Sequence, residues 1–192
     1  MFQPGFSRLI VFFNRKRDKY GADILRLWAL SADYTGEVSL SDDILKQISE
    51  VYRKIRNTAR YILGNTADYN PDEPVKYENL EEIDKWALTR LNKLIRSAIK
   101  NYNNYTFNNC YHDINQFCVI DMSNFYLDII KDRLYTYKKE SRERRSAQTT
   151  MYIILDALVK LLLFSMLDMF MFVHISLSYV CVYILLLPIL TV

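Results

Sequence analysis

The sequence predicts an all-α fold, an antiparallel helix bundle with an apolar C-terminal helix, and three observations carry that prediction. Four glycines and four prolines are few for 192 residues, and a β-sandwich or barrel with its many turns would need more. Four stretches of roughly 20 to 30 residues repeat apolar side chains at spacings of three or four, the helical period. Polar segments rich in Asn or Pro separate these stretches. Four such stripes are most economically buried against one another in a bundle.

A short helix is expected from Tyr20 to Ala32, entered through Gly21 and carrying Ile24, Leu25, Trp28 and Leu30. Asp33 to Glu37 has turn chemistry. Ser41 then reads as an N-cap, with Asp42 and Asp43 in a first turn where carboxylates suit the helix dipole. The helix it opens runs to about Leu63 with Ile44, Ile48, Tyr52, Ile55, Ala59 and Ile62 inward, and Gly64-Asn65 is its expected stop. After a polar linker around Pro71 and Pro74, Asn79 and Glu82 resemble a capping box. The next stripe is Ile83, Trp86, Ala87, Leu91, Leu94, Ile95, Ala98 and Tyr102. Beyond the Asn-rich break at 101–106, a longer helix places Phe107, Tyr111, Ile114, Cys118, Met122, Phe125 and Ile129 inward. Ser141 opens a last helix with Ala147, Met151, Ile154, Leu158 and Leu161 on its inner face.

Charge divides the chain unevenly. Its 25 basic residues all lie at or before Lys160, and beyond that point Asp168 is the one formal charge. The first 160 residues therefore read as a soluble, slightly basic domain. From Leu161 onward the helical period disappears, and 169–192 has the length and composition to cross a bilayer. Two readings of that tail stay open: a tail anchor, or sequence produced by translation in a wrong frame. The N-terminal apolar patch, Leu9 to Phe13, precedes its basic residues and so does not read as a secretory signal.

Cys110, Cys118 and Cys181 are odd in number and unpaired in spacing. They read as small core residues of a reduced, cytoplasmic protein rather than a disulfide framework or zinc site. Trp28 and Trp86 fall on apolar stripes and read as core. His112 has no carboxylate on its own helix face, and no catalytic or metal-binding residue is expected. Asp121, between Ile120 and Met122, is expected either as a satisfied buried group or on the exposed face.

Four blocks of sequence carry a family resemblance. The run Lys19-Tyr20-Gly21-Ala22-Asp23-Ile24-Leu25-Arg26-Leu27-Trp28, with Ser31-Ala32-Asp33-Tyr34-Thr35-Gly36 after it, resembles the segment that follows the Lys-Met-Ser-Lys-Ser loop of isoleucyl-tRNA synthetases. Tyr52 to Arg60 is similar to the family's first anticodon-domain helix. Phe125 to Tyr135 and Arg144 to Thr149 resemble two further signatures, in the family's order. The resemblance covers about Lys19 to Leu162. It implies the helical anticodon-binding domain of the class I aminoacyl-tRNA synthetases, bacterial type. The organisation expected from it is a divergent N-terminal segment at 1–18 and a post-catalytic junction at 19–40. An anticodon-binding bundle at 41–162 and an apolar tail foreign to the family at 163–192 complete it.

The parent family ligates isoleucine to tRNA-Ile using ATP, magnesium and zinc. The nucleotide-binding fold, its His-Ile-Gly-His signature, the editing domain and the Cys-rich zinc region are absent from this sequence. The chain alone is therefore expected to be inactive, to hold no cofactor, and to resemble a gene remnant at both ends. What it would retain is tRNA binding. Phosphates call for Lys and Arg on a fixed surface, and unstacked bases for aromatic or guanidinium planes. The candidates are Arg53, Arg56 and Arg60 at helical spacing, with Lys131, Arg133, Arg144 and Arg145 clustered near a helix junction beside Tyr135 and Tyr137. The competing readings are a tail-anchored membrane protein with a soluble interaction domain, or a helical RNA-binding module unrelated to aminoacylation.

Overall fold

The computed structural model describes residues 4–167, with side chains described for 11–162. The described residues are helical, with no strand among them. Helix α1, Pro4–Tyr20, occupies most of the N-terminal segment, where no element is expected from the apolar pattern. Gly21 breaks it from α2, Ala22–Ser31, at φ +92° and ψ 156°. Only glycine takes that conformation without strain.

Helix α3, Asp42–Asn65, starts as expected, with Ser41 Oγ accepting from the Ile44 N–H at 3.2 Å. Its first residue ties it to α1: Asp42 meets Lys16 at 2.8 Å, the Tyr20 hydroxyl at 2.7 Å and Lys19 at 3.2 Å. Those three partners hold its carboxyl well below the usual range. It ends at Asn65, within the expected Gly64-Asn65 stop, and Thr66 closes the end by donating its N–H to the Ile62 and Leu63 carbonyls.

Helix α4, Glu82–Asn103, does not use the expected capping box. Asn79 lies in a short 3-10 turn, Tyr77–Asn79, and Glu81 occupies the cap position without a side-chain bond. The Glu81 N–H instead donates to Ser146 Oγ, 65 residues further on, at 3.0 Å. A tertiary partner has replaced the local one.

Helix α5 begins as Phe107–Gln116, widens into a π-helix over Phe117–Tyr126, and ends in the turn Leu127–Ile129. The widening frees the Cys118 carbonyl, which accepts from Ser123 Oγ at 2.8 Å and lies 3.5 Å from Thr58 Oγ1 on α3. It also corrects the expected inner face. Phe125 and Ile129, placed inward by a 3.6-residue period, are 43 % and 47 % exposed, while Tyr126 and Ile130 are fully buried. A wider turn advances the buried register by one residue. Helix α6, Lys131–Thr136, follows, and α7, Arg142–Leu167, completes the described chain.

Residue pairs fix the topology. Asp84–Tyr126, Arg90–Asp121 and Ser97–Asp113 make α4 and α5 antiparallel. Thr58–Ser123, with Ile48 and Tyr111 sharing one cluster a few turns earlier, makes α3 and α5 run the same way. Gln148 reaches the Asn65 carbonyl, so α7 starts where α3 ends. The result is an up-down-up-down bundle in which α3 and α4 occupy opposite corners, each packed against α5 and α7. The core joins Ile55, Ile62, Leu91, Leu94, Ile114, Met122, Met151, Ile154 and Leu158. A second cluster, Ile24, Leu27, Leu30, Leu45, Ile48 and Tyr111, packs α2 onto the opposite end.

Trp86 is half-buried against Phe125, with ring centroids 4.7 Å apart, and Trp28 is half-buried in the second cluster. Cys110 and Cys118 are fully buried core residues. Cys181 and the expected apolar tail, 169–192, lie outside the described residues. Among the described residues no helix is long and apolar enough to cross a membrane.

Candidate nucleic-acid interface

The seven basic residues picked from the sequence fall into two physical groups. Arg53, Arg56 and Arg60 stand on the outer face of α3, and all three are exposed. At about 100° per residue they share roughly 60° of arc. Arg53 leans on Glu50 at 3.1 Å, an exposed i,i+3 pair. Such pairs hold weakly, about 0.2–1 kcal/mol, and release readily to a better anion. Arg56 and Arg60 make no ion pair among the described residues. Tyr61, on the adjoining face, brings in Tyr135 of α6, with the two hydroxyls 3.4 Å apart. Tyr135 is 65 % exposed, and Lys131 is exposed one turn earlier, bonded to Asp128 at 2.6 Å. The loop beyond, Tyr137-Lys138-Lys139, is exposed as well.

Arg133, Arg144 and Arg145 are placed differently. All three point into the end of the bundle and are engaged there. Arg133, with a side chain 13 % exposed, forks onto Asp84 at 3.0 and 3.1 Å. Asp84 is fully buried and also accepts from the Tyr126 hydroxyl at 2.8 Å and from Ser146 Oγ at 2.5 Å. Arg144 forks onto Asp68 at 2.7 and 3.2 Å and donates to the Leu134 and Lys139 carbonyls. Arg145 bonds the Asp68 carbonyl, Gln148 Oε1 and Glu140. Fork geometry of this kind suits a fixed carboxylate, and no guanidinium of the three is left turned to solvent for a phosphate.

Sequence block 144–149 is thus a clamp. Ser146, Gln148 and Thr149 are buried polar residues, and they fasten the loop after α3 along the start of α7. Thr149 Oγ1 accepts from the Val75 N–H, and Gln148 Nε2 donates to Asp68 and to Asn65. Arg144, with Gln148 in support, holds the Asp68 carboxyl down at about 2. Burial at the same end, with Asp84 beside it, raises the Tyr126 hydroxyl well above its usual range.

The sequence reading missed one group altogether. Lys93, Arg96 and Lys100 stand exposed on the outer face of α4, at the same three-then-four spacing as the α3 arginines. None of them makes an ion pair among the described residues. Their spacing is legible in the sequence, but the stripe lies outside the four blocks that carry the resemblance.

Asp121 is buried and paired with Arg90 at 2.9 Å. His112 is exposed against the Tyr111 ring. No group of three or more His, Cys, Asp or Glu among the described residues could hold a metal ion.

Residues 84–164 match the family described as the anticodon-binding domain of tRNA ligase. Over 145 residues the chain is 59 % identical to the isoleucine–tRNA ligase of Caldanaerobacter subterraneus subsp. tengcongensis, a match covering 75 % of this chain and 16 % of that protein. It is 62 % identical over 146 residues to the isoleucine–tRNA ligase of Caldicellulosiruptor bescii, covering 76 % and 16 %. The homologue from Desulforamulus reducens is 57 % identical over 143 residues, covering 74 % and 15 %. The chain spans about 16 % of the length of the curated relatives it matches.

Proposed function

We infer from these matches that the chain carries the anticodon-binding domain of an isoleucine–tRNA ligase, and propose that its bundle binds tRNA-Ile. The RNA lies along the outer face of α3 toward Tyr135 and the 137–139 loop. The observation that supports this reading is the set of three arginines on one exposed stripe, two of them without an ion pair among the described residues. Arg53, Arg56 and Arg60 span about 10 Å of helix axis at 1.5 Å per residue. An RNA backbone offers anionic charge at comparable spacing, and neutralising it releases counterions.

Lys131 and the exposed Tyr135 and Tyr137 rings extend that surface. The rings suit stacking by bases outside a duplex. Arg133, Arg144 and Arg145 serve it indirectly, by fixing the loop after α3 and the α6 turn in register. In the parent reaction, joining isoleucine to its tRNA in the cytoplasm, the role we assign to this bundle is to hold the RNA. ATP, magnesium and zinc are assigned to other parts of the parent enzyme.

Filter binding of the full chain against tRNA-Ile and an unrelated tRNA, across a salt series, tests the reading. Tighter binding of tRNA-Ile, weakened by the combined Arg53→Ala, Arg56→Ala and Arg60→Ala change, is expected. Equal affinity for both RNAs would reduce the claim to non-specific phosphate contact. Unchanged affinity in the triple variant would remove the α3 stripe from it.

A further inference from the structure

The outer face of α4 combines charge with shape. Lys93, Arg96 and Lys100, together with Thr89, lie within about 60° of arc at roughly 100° per residue. Between this stripe and the 3-10 turn before α4 runs an open groove of about 390 Å³, lined by Tyr77, Leu88, Thr89, Asn92, Lys93 and Arg96. Its lining combines the half-buried Tyr77 ring and the buried Leu88 with two cations, the Thr89 hydroxyl and the Asn92 amide.

Cations on neighbouring faces are tied up: Lys85 bonds Glu82 at 2.9 Å, and Arg90 bonds Asp121 at 2.9 Å. The three on this stripe are not, so three like charges sit within two turns with no acidic partner among the described residues. That arrangement disfavours the free surface and favours an anionic ligand. Because α3 and α4 stand at opposite corners, this face is separate from the Arg53, Arg56 and Arg60 stripe.

We propose that the α4 groove is a second RNA subsite, taking a single-stranded segment with its phosphates on Lys93, Arg96 and Lys100 and one unstacked base against Tyr77. The inference rests on the RNA-binding reading of the bundle and adds a strand type and a second place. A strand follows from the lining: a ring and a lone amide recognise a base only when it is splayed from a duplex. The charges fit it too. From Lys93 to Lys100 the helix rises about 10 Å, and three cations along that length can neutralise phosphates of one strand.

The test measures fluorescence anisotropy of the full chain with an oligouridylate of eight residues and with tRNA-Ile, from 50 to 200 mM salt. The combined Lys93→Ala, Arg96→Ala and Lys100→Ala variant should lose about three phosphate contacts on the oligouridylate. Over that salt range wild type would then weaken about 20-fold more than the variant, from a slope of about 0.7 per contact on a single strand. Tyr77→Ala should weaken the oligouridylate while leaving the slope unchanged, and the charge-keeping Lys93→Arg, Arg96→Lys and Lys100→Arg variant should retain binding. The α3 triple variant should retain the part of oligouridylate binding that depends on Lys93, Arg96 and Lys100.

Oligouridylate binding indifferent to the α4 changes, or absent while tRNA-Ile still binds, overturns the subsite and leaves the reading of α3 standing. Oligouridylate binding that needs α4, without any tRNA-Ile binding, supports the subsite and overturns the reading of the bundle. A chain that binds neither overturns both.

Discussion

Asp84 on α4 and Arg133 on α6, 49 residues apart in sequence, face each other across two hydrogen bonds of 3.0 and 3.1 Å at the end of the bundle. The carboxylate is fully buried and the guanidinium nearly so. Tyr126 and Ser146 complete its shell, so one side chain holds α4, α5, α6 and α7 together. A buried ion pair adds little net stability over a well-packed apolar alternative, but removing one partner strands the other.

Arg133→Ala should therefore destabilise the fold by about 3–5 kcal/mol, the range for an uncompensated buried charge. Urea unfolding followed by circular dichroism measures it. Tyr126→Phe, which removes one hydrogen bond to the carboxylate and leaves the fork, should cost less, about 1.5–3 kcal/mol. A larger loss for Tyr126→Phe than for Arg133→Ala would contradict this ordering.

The Asp68–Arg144 fork predicts a pH dependence with a definite sign. The Asp68 carboxyl is depressed to about 2, below the unfolded carboxylate value near 4. Its contribution is therefore complete above about pH 4 and is lost as pH falls toward 2. Wild type should be more stable than Asp68→Asn at pH 6, and the two should converge as pH falls to about 2. Thermal melts at a series of pH values would show a constant gap if the pair contributed nothing through ionisation.

Arg144→Lys keeps the charge but cannot fork. It should lower the melting temperature and leave the tRNA affinity of the folded protein near wild type, because the role placed here is internal. A full-strength loss of RNA binding with an unchanged melt would instead put Arg144 in direct contact with RNA.

Gly21→Ala places a Cβ at φ +92°. Nothing lies within 4 Å of that Cβ, so the penalty is backbone strain alone, on the order of 1–3 kcal/mol. Destabilisation with no change in the spectrum of the folded state is expected, and a neutral substitution would mean that the α1–α2 junction relaxes.

Cys110 and Cys118 are buried, and burial pushes their thiols up to about 11 and about 12. In a Cys181→Ser background the folded chain should resist iodoacetamide at pH 8, because the thiolate is the nucleophile. Mass spectrometry should find both thiols alkylated once urea unfolds the chain. Rapid labelling without denaturant would show that the bundle opens.

The sequence alone determined the helices beyond α1, their order and most of their inner faces, because apolar residues at helical spacing need no partner to be read. Ser41 was legible as a cap for the same reason: its bond to Ile44 spans three residues. The family could be named from four blocks of wording. Tertiary structure decided what those blocks do. Arg144 and Arg145 look like a phosphate site in one dimension, and Asp68, 76 residues away from Arg144, turns them inward. The cap on α4 came from Ser146, and the π-helix at Phe117–Tyr126 moved Phe125 and Ile129 to the surface. Each depends on a partner far along the chain or on a change of helical period. A rule that reads neighbours at three or four residues has no access to either.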